Sequence, residues 1–196
     1  MEGPRPIGQQ IRMVPNLISL ARLAGVPLFL WLFLGLHADV WAVAVLALGG
    51  SSDWVDGYLA RRLGQVSRLG ELLDPMADRL YILATLLALT VREVVPVQLT
   101  VAILAREAVL LACLPVLRRY GYGPPPVHYL GKTATFVLLV AFPTLLLAYA
   151  SDSAAVWAHP VGWALAWWGL ALYWIAGLMY VAQVVGVVRR SRAELA

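Results

Sequence analysis

The chain has few charged side chains. Charged residues make up 13% of its 196 residues, whereas hydrophobic residues make up 61%. Together with a mean hydropathy of +0.77, this scarcity of charge excludes an ordinary soluble domain and predicts an integral membrane protein. The length suits one helical domain, and no segment resembles a second, soluble module.

Other features are missing as well. Cys113 is the only cysteine and lies in an apolar run, so an internal disulfide is excluded and a role as small core filler is expected. Gly49-Gly50-Ser51-Ser52 allows tight packing or a local irregularity, but it is not a P-loop because no Gly-Lys-Ser/Thr follows. No internal repeat is apparent, which weighs against many transporter folds.

Long apolar runs are abundant. Six of them approach or exceed the roughly 20 residues that cross a bilayer, and they fall at 14–36, 39–61, 70–91, 96–118, 129–150 and 156–188. We therefore predict an all-α integral membrane protein with six transmembrane helices in a domain at 14–188. A juxtamembrane arm at 1–13 and a tail at 189–196 would flank it. The last run is longer than a span requires, so we expect tilt or a cytoplasmic extension.

The basic residues are unevenly distributed. Of the 15, 14 are Arg and one is Lys. The predicted outer connections near 37–39, 92–96 and 151–155 hold only Arg92. The chain ends and the alternate connections hold eleven: Arg5, Arg12, Arg61, Arg62, Arg68, Arg118, Arg119, Lys132, Arg189, Arg190 and Arg192. This bias predicts a multi-pass protein of the cell (inner or plasma) membrane with both termini cytoplasmic, and it is not a nucleic-acid footprint.

Four carboxylates interrupt the apolar pattern. Asp53 and Asp56 lie near the end of predicted helix two, and Asp74 and Asp78 near the start of helix three. Spacings of three and four place each pair on one helix face. An Asp near the bilayer centre costs about 2.5–3.5 kcal/mol, and less near the interface, so four of them indicate a function. The alternative is that they only cap helices and pair with arginines of the loop.

Two antiparallel helices joined by a short loop would bring these four carboxylates to one depth. Hard oxygen ligands in that number suit one or two Mg²⁺ or Mn²⁺ ions. Arg61, in the same stretch, is placed to meet an anionic phosphate. The pattern thus predicts an active site at the cytoplasmic side, between helices two and three.

Residues 53–78 read Asp-x2-Asp-Gly-x2-Ala-Arg-x8-Gly-x3-Asp-x3-Asp. This stretch resembles the signature of the CDP-alcohol phosphotransferases at every fixed position. The likeness extends to the six-helix layout and to Pro15-Asn16-x2-Ser19-x2-Arg22 on helix one. Within the family, helices one to five are similar to the actinobacterial-type cardiolipin synthases.

The resemblance implies transfer of a phosphatidyl group from CDP-diacylglycerol to an acceptor hydroxyl, with release of CMP. Asp53, Asp56, Asp74 and Asp78 would hold the divalent ions, and Asp78 would also act as the general base. The CDP pocket would be formed by Asp53, Gly57, Ala60, Arg61, Ser67 and Gly70. Helix packing is the alternative role for the two glycines. Since relatives are commonly homodimers, a homodimer surrounded by membrane lipids is expected.

Two further cations match positions where family members hold the phosphate of the acceptor. Arg106 lies within helix four, and Lys132 lies near the start of helix five. For Arg106 the alternative is an internal salt bridge or a contact with a backbone carbonyl. For Lys132 the alternative is that its ammonium reaches the membrane interface without binding a ligand.

The cations that are missing favour one acceptor. Bacterial phosphatidylglycerophosphate synthases of the family usually carry a second Lys where this chain has Ala134, and another Arg where it has Leu114. A dianionic phosphomonoester needs such cations more than a monoanionic phosphodiester does. Phosphatidylglycerol, which would give cardiolipin, is therefore the favoured acceptor, ahead of glycerol 3-phosphate and then inositol phosphate. A cation-coupled transporter is the alternative from another class, because intramembrane acids also mark ion pathways.

Overall fold

The computed structural model describes residues 14–63, 68–119 and 129–194, and within them the side chains of residues 20–52, 80–119, 129–189 and 191. These ranges contain six helices and no strand, which confirms the all-helical prediction. The helices are α1 (Val14–Leu30, continued by a π turn at Trp31–Gly35), α2 (Asp39–Leu63), α3 (Arg68–Val91), α4 (Val97–Arg119), α5 (Tyr129–Ala150) and α6 (Asp152–Glu194).

Three of these helices are long and apolar enough to cross a membrane by length and composition. They are Val97–Arg119, Tyr129–Ala150 and Asp152–Arg189. The described parts of α1, α2 and α3 contain shorter apolar helices, at Leu20–Gly35, Asp39–Ser52 and Leu80–Val91. The chain is therefore a helical membrane protein, and the limits 14 and 188 for the membrane domain stay predictions.

Helix α6 is longer than the sixth predicted span. It contains 43 residues and measures about 65 Å at 1.5 Å per residue. It begins at Asp152, four residues before the predicted start, so the connection predicted at 151–155 shrinks to Ser151. An acidic residue in the first turn and the following alanines both favour helix there.

Within the described ranges, two non-glycine residues adopt left-handed backbone conformations at helix ends: His37 has φ 54° and Glu93 has φ 57°. After Glu93, the Val94 N–H donates to the Leu89 carbonyl at 2.9 Å, which is the hydrogen bond of a Schellman helix end. After His37, the Ala38 N–H reaches the Leu32 carbonyl at 2.9 Å. That bond spans one residue more because α1 ends in a wider π turn.

The chain divides into two compact units. The first comprises Met1–Val94 and Pro143–His159, and the second Val95–Phe142 and Pro160–Ala196. In the first unit α1 packs against both α2 and α3, and its fully buried side chains include Phe29, Phe33 and Leu46.

The second unit shows close helix contact at a glycine. A Cβ atom added to Gly169 of α6 would lie 2.9 Å from Cγ of Leu138 on α5. Only a residue without a side chain fits there, so the two backbones approach more closely than larger residues would permit. Small residues serve the same purpose in many membrane helix pairs.

Candidate active site

The residues of the aspartate motif occupy the adjoining ends of α2 and α3. Helix α2 carries Asp53, Asp56, Gly57, Ala60 and Arg61 towards its end, and α3 carries Gly70, Asp74 and Asp78 towards its start. The side chains of residues 53–79 lie outside the described part of the chain, as does the whole of Ser67. The metal, catalytic and CDP-binding roles of these residues therefore stay predictions.

A close contact joins α2 and α3 next to the motif. Tyr81 is 4% exposed, and its hydroxyl donates to the Leu46 carbonyl of α2. Its ring covers Gly49, where an added Cβ would lie 2.7 Å from the Tyr81 Cε2 atom. Gly49 therefore permits the approach of the two helices. This confirms tight packing at Gly49, which its sequence left as one of two alternatives.

A second contact fixes the register of this antiparallel pair. Arg92, just beyond α3, pairs with Asp39 at the start of α2. On α2, Gly49 lies ten residues after Asp39. On α3, Tyr81 lies eleven residues before Arg92. Along this stretch the two helices are therefore antiparallel, and both advance by almost the same number of residues towards positions 64–67, which connect them in the sequence.

The aspartate positions continue the faces that meet at Gly49 and Tyr81. The two positions on α2 lie four and seven residues after Gly49, and the two on α3 lie three and seven residues before Tyr81. Residues separated by three, four and seven positions share one helix face. Helical periodicity therefore places the four aspartate positions on the same helix faces as Gly49 and Tyr81, one to two turns from that contact.

A buried arginine approaches the motif from α1. Arg22 is buried, and its Nε–H donates to the Ser52 hydroxyl at 3.2 Å. The Ser52 hydroxyl in turn donates to the Gly49 carbonyl at 2.7 Å. Because Ser52 directly precedes Asp53, this contact brings a positive charge to the edge of the aspartate motif.

A network around Arg92 closes the other end of the first unit. Arg92 Nη1 donates to the Phe33 carbonyl at 3.0 Å and to Asp39 Oδ1. Its Nη2 donates to Asp39 Oδ2 at 3.3 Å and to the Tyr149 hydroxyl at 3.2 Å. The guanidinium carbon also lies 4.4 Å from the ring centre of Phe33 and 4.9 Å from that of Tyr149. Arg92 therefore joins α1, α2, the end of α3 and the end of α5.

The charge of Arg92 is well supported. Burial works to lower its pKa, but the hydrogen bond and negative charge of Asp39, together with Tyr149, outweigh burial and leave the pKa above its ordinary value. Arg92 stays protonated at every pH at which the protein would be handled.

The second unit contains another arginine cluster, at Arg106 of α4. Arg106 Nη1 donates to Glu107 Oε1 at 2.8 Å, and the guanidinium carbon lies 4.0 Å from the ring centre of Tyr173 on α6. The Tyr173 hydroxyl donates to the same Glu107 oxygen. This confirms the internal salt bridge that was one of the two alternatives for Arg106.

One buried donor of Arg106 has no partner. Its Nε–H is buried and has no hydrogen-bond partner. Gly177 of α6 lies directly beside it, since an added Cβ would be 3.1 Å from Arg106 Cγ and 3.3 Å from Nε. The ion pair therefore does not use the whole guanidinium, and a role in binding an acceptor stays open beside the salt bridge.

Lys132 has a different environment. Its side chain is exposed at the start of α5, and its ammonium nitrogen lies 5.8 Å from the ring centre of Tyr129. That contact is compatible with both sequence alternatives, a ligand-binding cation and a lysine that extends to the interface.

Sequence reasoning gave no role to several residues of these clusters, among them Tyr81, Glu107 and Tyr173. Tyr81 could have been found, because it stands three residues after Asp78 on the same helix face. Glu107 gave a signal as an acid directly beside Arg106 in an apolar run. Nothing in the pattern around Tyr173 distinguished it from the other aromatic residues of α6. The side chains that the structure describes include no group of three residues that could ligate a metal. The side chains of the four aspartates are not described, so this finding does not concern them.

Comparison with known proteins identifies the family. Residues 12–188 match the sequence model of the CDP-alcohol phosphatidyltransferases. The chain belongs to the CDP-alcohol phosphatidyltransferase family. This confirms the resemblance seen in the aspartate motif and makes the protein a membrane-bound transferase of phospholipid biosynthesis.

Relatives within the family differ in how much of the chain they match. The cardiolipin synthase (CMP-forming) of Streptomyces coelicolor is 55% identical over 97% of this chain and 94% of its own length. The CDP-diacylglycerol–glycerol-3-phosphate 3-phosphatidyltransferase of Bacillus subtilis is 33% identical over 68% of this chain and 76% of its own. The cardiolipin synthase (CMP-forming) of Rattus norvegicus is 38% identical over 58% of this chain and 37% of its own.

Proposed function

We propose that this CDP-alcohol phosphatidyltransferase is a metal-dependent cardiolipin synthase of the CMP-forming type. It transfers the phosphatidyl group of CDP-diacylglycerol to a hydroxyl of phosphatidylglycerol, and it releases CMP. The observation that carries the proposal is the 55% identity to a protein of that name over 97% of the chain. The alternative of a cation-coupled transporter has no comparable support, since residues 12–188 match a transferase family.

The donor set at the motif fits a divalent metal. If the register of α2 and α3 continues past Gly49 and Tyr81, Asp53 comes opposite Asp78 and Asp56 comes opposite Asp74. Four carboxylates that meet in this way would hold one or two Mg²⁺ or Mn²⁺ ions. Bound there, the ions would neutralise the pyrophosphate of the donor and make CMP a better leaving group.

The chain's own residues supply the remaining steps. Asp78 takes the proton of the acceptor hydroxyl, and the resulting oxygen attacks the phosphorus of the phosphatidyl group. A bond from that oxygen to phosphorus forms, the bond from phosphorus to the CMP oxygen breaks, and CMP leaves. Arg61 holds a phosphate of the donor, while Gly57, Ala60, Ser67 and Gly70 leave room for the cytidine diphosphate.

The favoured acceptor follows from charge. Lys132 and Arg106 are the cations proposed to hold the acceptor's phosphate, and Arg106 is already paired with Glu107. Such a site suits a phosphodiester with one negative charge better than a phosphomonoester with two. The Bacillus subtilis relative, whose name states glycerol 3-phosphate, makes that compound the second acceptor to be tested.

The first experiment measures CMP release by the purified protein with CDP-diacylglycerol and Mg²⁺. Phosphatidylglycerol and glycerol 3-phosphate are supplied separately, and the lipid product is identified by mass. We expect cardiolipin from the first acceptor and little product from the second. Phosphatidylglycerophosphate as the main product would overturn the acceptor, and no CMP from either would overturn the reaction.

The metal proposal is tested with the same assay. We expect Asp56→Ala and addition of EDTA each to lower CMP release at least 1,000-fold, on the order of a removed catalytic metal, and excess Mg²⁺ to reverse only the EDTA effect. Asp152→Ala is the matched control, because Asp152 is an exposed carboxylate in the first turn of α6 and lies outside the aspartate motif. Full activity of Asp56→Ala would exclude the metal site.

Orientation and assembly are further parts of the proposal. The basic residues at the chain ends support cytoplasmic termini, with the active site on the cytoplasmic side, and the family resemblance supports a homodimer. In a Cys113→Ala background, a membrane-impermeant maleimide should label Ser153→Cys in intact cells. It should label Ser191→Cys only after permeabilisation. The reverse pattern would contradict the orientation, and a monomeric mass in mild detergent would contradict the dimer.

A further inference from the structure

The Arg106 cluster is organised more tightly than charge neutralisation requires. Glu107 holds one end of the guanidinium through Nη1, at 2.8 Å. Tyr173 covers one face at 4.0 Å and donates its hydroxyl to the same Glu107 oxygen. The arginine side chain is 13% exposed and the glutamate side chain 30%. Two partners on α4 and α6 therefore fix the orientation of one arginine.

This fixed arginine presents an unused donor. The Nε–H is buried without a partner, and an unsatisfied buried donor costs about 1–3 kcal/mol. Gly177 lies beside it, and its lack of a side chain keeps the space next to Nε free of a methyl group. An oxygen acceptor on a ligand would remove this cost, and a phosphate oxygen is the acceptor that arginine binds best.

The charge of the cluster limits which phosphate can bind. Arg106 and Glu107 together carry no net charge, so a ligand there meets one cation and one anion. A second negative charge on the ligand would gain attraction from Arg106 but suffer repulsion from Glu107. In the low dielectric of a membrane protein such repulsion is weakly screened. A monoanion that reaches the Nε–H is therefore favoured over a dianion.

We infer that Glu107 is a specificity-determining residue, which acts through Arg106 and restricts the acceptor to a monoanionic phosphodiester. Tyr173 is the positioning residue that holds Glu107 and the guanidinium in place. This inference rests on the proposed function and deepens it, because it names the residue that rejects a phosphomonoester such as glycerol 3-phosphate.

The test removes only the negative charge. Glu107→Gln keeps the size of the side chain and an oxygen that can accept from Arg106. With CDP-diacylglycerol and Mg²⁺, we expect the variant still to make cardiolipin. The inhibition constant of glycerol 3-phosphate against phosphatidylglycerol should fall about tenfold, the scale expected for one nearby charge. The ratio of kcat/KM for glycerol 3-phosphate to that for phosphatidylglycerol should rise accordingly, mainly through KM.

Asp39→Asn is the matched control. It removes the carboxylate partner of the other arginine cluster, so it reproduces the loss of an ion pair without touching Arg106. We expect it to lower stability and to leave both the inhibition constant and the acceptor ratio unchanged. A purely structural role for Glu107 would make the two variants behave alike, and that result would overturn the inference.

A second variant serves if Glu107→Gln does not accumulate. Tyr173→Phe keeps the ring beneath the guanidinium and removes only the hydroxyl that holds Glu107. We expect a higher KM for phosphatidylglycerol with kcat nearly retained, and an unchanged KM would overturn the inference. Wild-type protein that forms no cardiolipin would instead refute the proposed function, so the two failures are distinguishable.

Discussion

Two arginines of this protein have similar surroundings and different numbers of partners. The side chains of Arg92 and Arg106 are 14% and 13% exposed, and each pairs with a carboxylate beside an aromatic ring. Arg92 divides its donors among a backbone carbonyl, both oxygens of Asp39 and a tyrosine hydroxyl. Arg106 donates from Nη1 to Glu107 and leaves its buried Nε–H without a partner.

This is the difference that we expect between a structural arginine and one that binds a ligand, the role proposed for Arg106. The contacts of Arg92 join secondary-structure elements within the first unit, so they stabilise the fold. Arg106 is oriented by its neighbours yet keeps a donor for something else. Arginine and lysine substitute poorly for each other where several directed hydrogen bonds are made, so the same replacement at both positions should have different consequences.

The largest effect is expected for Arg106→Lys. Lysine keeps the positive charge beside Glu107 but lacks the Nε–H and the flat surface over Tyr173. Loss of one charge-assisted hydrogen bond to the acceptor, about 1.5–3 kcal/mol, should lower kcat/KM for phosphatidylglycerol roughly 10- to 100-fold. The apparent Tm in detergent should change little. Unchanged kinetics together with a lowered Tm would make Arg106 structural, like Arg92.

Arg92→Lys should affect stability instead. An ammonium group cannot reach Phe33, Asp39 and Tyr149 together, and we expect a loss of about 2 kcal/mol. For a chain of this size that is a fall in Tm of roughly 4–8 °C. Activity per folded molecule, assayed well below Tm, should stay within about twofold, which is under 0.5 kcal/mol of activation free energy. A large loss of activity in the folded variant would show that the two clusters are not separate in function.

The stabilities of the wild-type protein and of Arg92→Lys should depend differently on pH. Because the pKa of Arg92 is raised, its contribution to stability is present below its unfolded-state pKa and is lost only as pH rises through the higher folded-state value. Wild-type protein should therefore keep this contribution at pH 10. In the lysine variant the unfolded-state pKa is about 10.4, and pairing with Asp39 would hold the folded-state pKa above it. This contribution should therefore be lost from about that pH upwards. Measurements of Tm between pH 7 and 11 would show the two proteins diverging.

Tyr149→Phe gives the smallest expected effect. It removes one hydrogen bond from Arg92 and keeps the ring beside the guanidinium. Because the hydroxyl is partly exposed, we expect a loss of about 0.5–1.5 kcal/mol at most and no change in the acceptor ratio. Gly186→Ala is a neutral comparison, since an added Cβ there would meet nothing within 4 Å. A drop in Tm as large as that of Arg92→Lys would mean that Tyr149 dominates the network.

The sequence was most informative where patterns are regular. Apolar runs of about 20 residues predicted the helices, and most limits agree with the structure to within two residues. The start of α6 was placed too late because Asp152 and Ser153 are polar, although both sit comfortably in a first helical turn. The aspartate motif identified the family, because it fixes carboxylates and small residues at set distances over 26 positions, 53–78.

Contacts between helices were less accessible. Gly49 could be recognised as a packing position and Tyr81 as a residue on the face of the aspartates. Their contact could not be predicted, because it depends on how far α3 slides along α2. The pairing of Asp39 with Arg92 joins residues 53 positions apart, and no local rule predicts it. Arg106 with Glu107 was predictable as a local pair, whereas the tyrosine that orients both comes from α6.

The distance along the chain between the partners of each ion pair also affects biogenesis. Glu107 directly follows Arg106, so the two charges can neutralise each other as soon as α4 forms and can enter the bilayer as one polar unit. Asp39 and Arg92 are 53 positions apart, at the start of α2 and just after α3, so they meet only once these two helices have packed together. Because the network also includes Tyr149 near the end of α5, it can be completed only after α5 has been synthesised, long after the Arg106–Glu107 pair has formed.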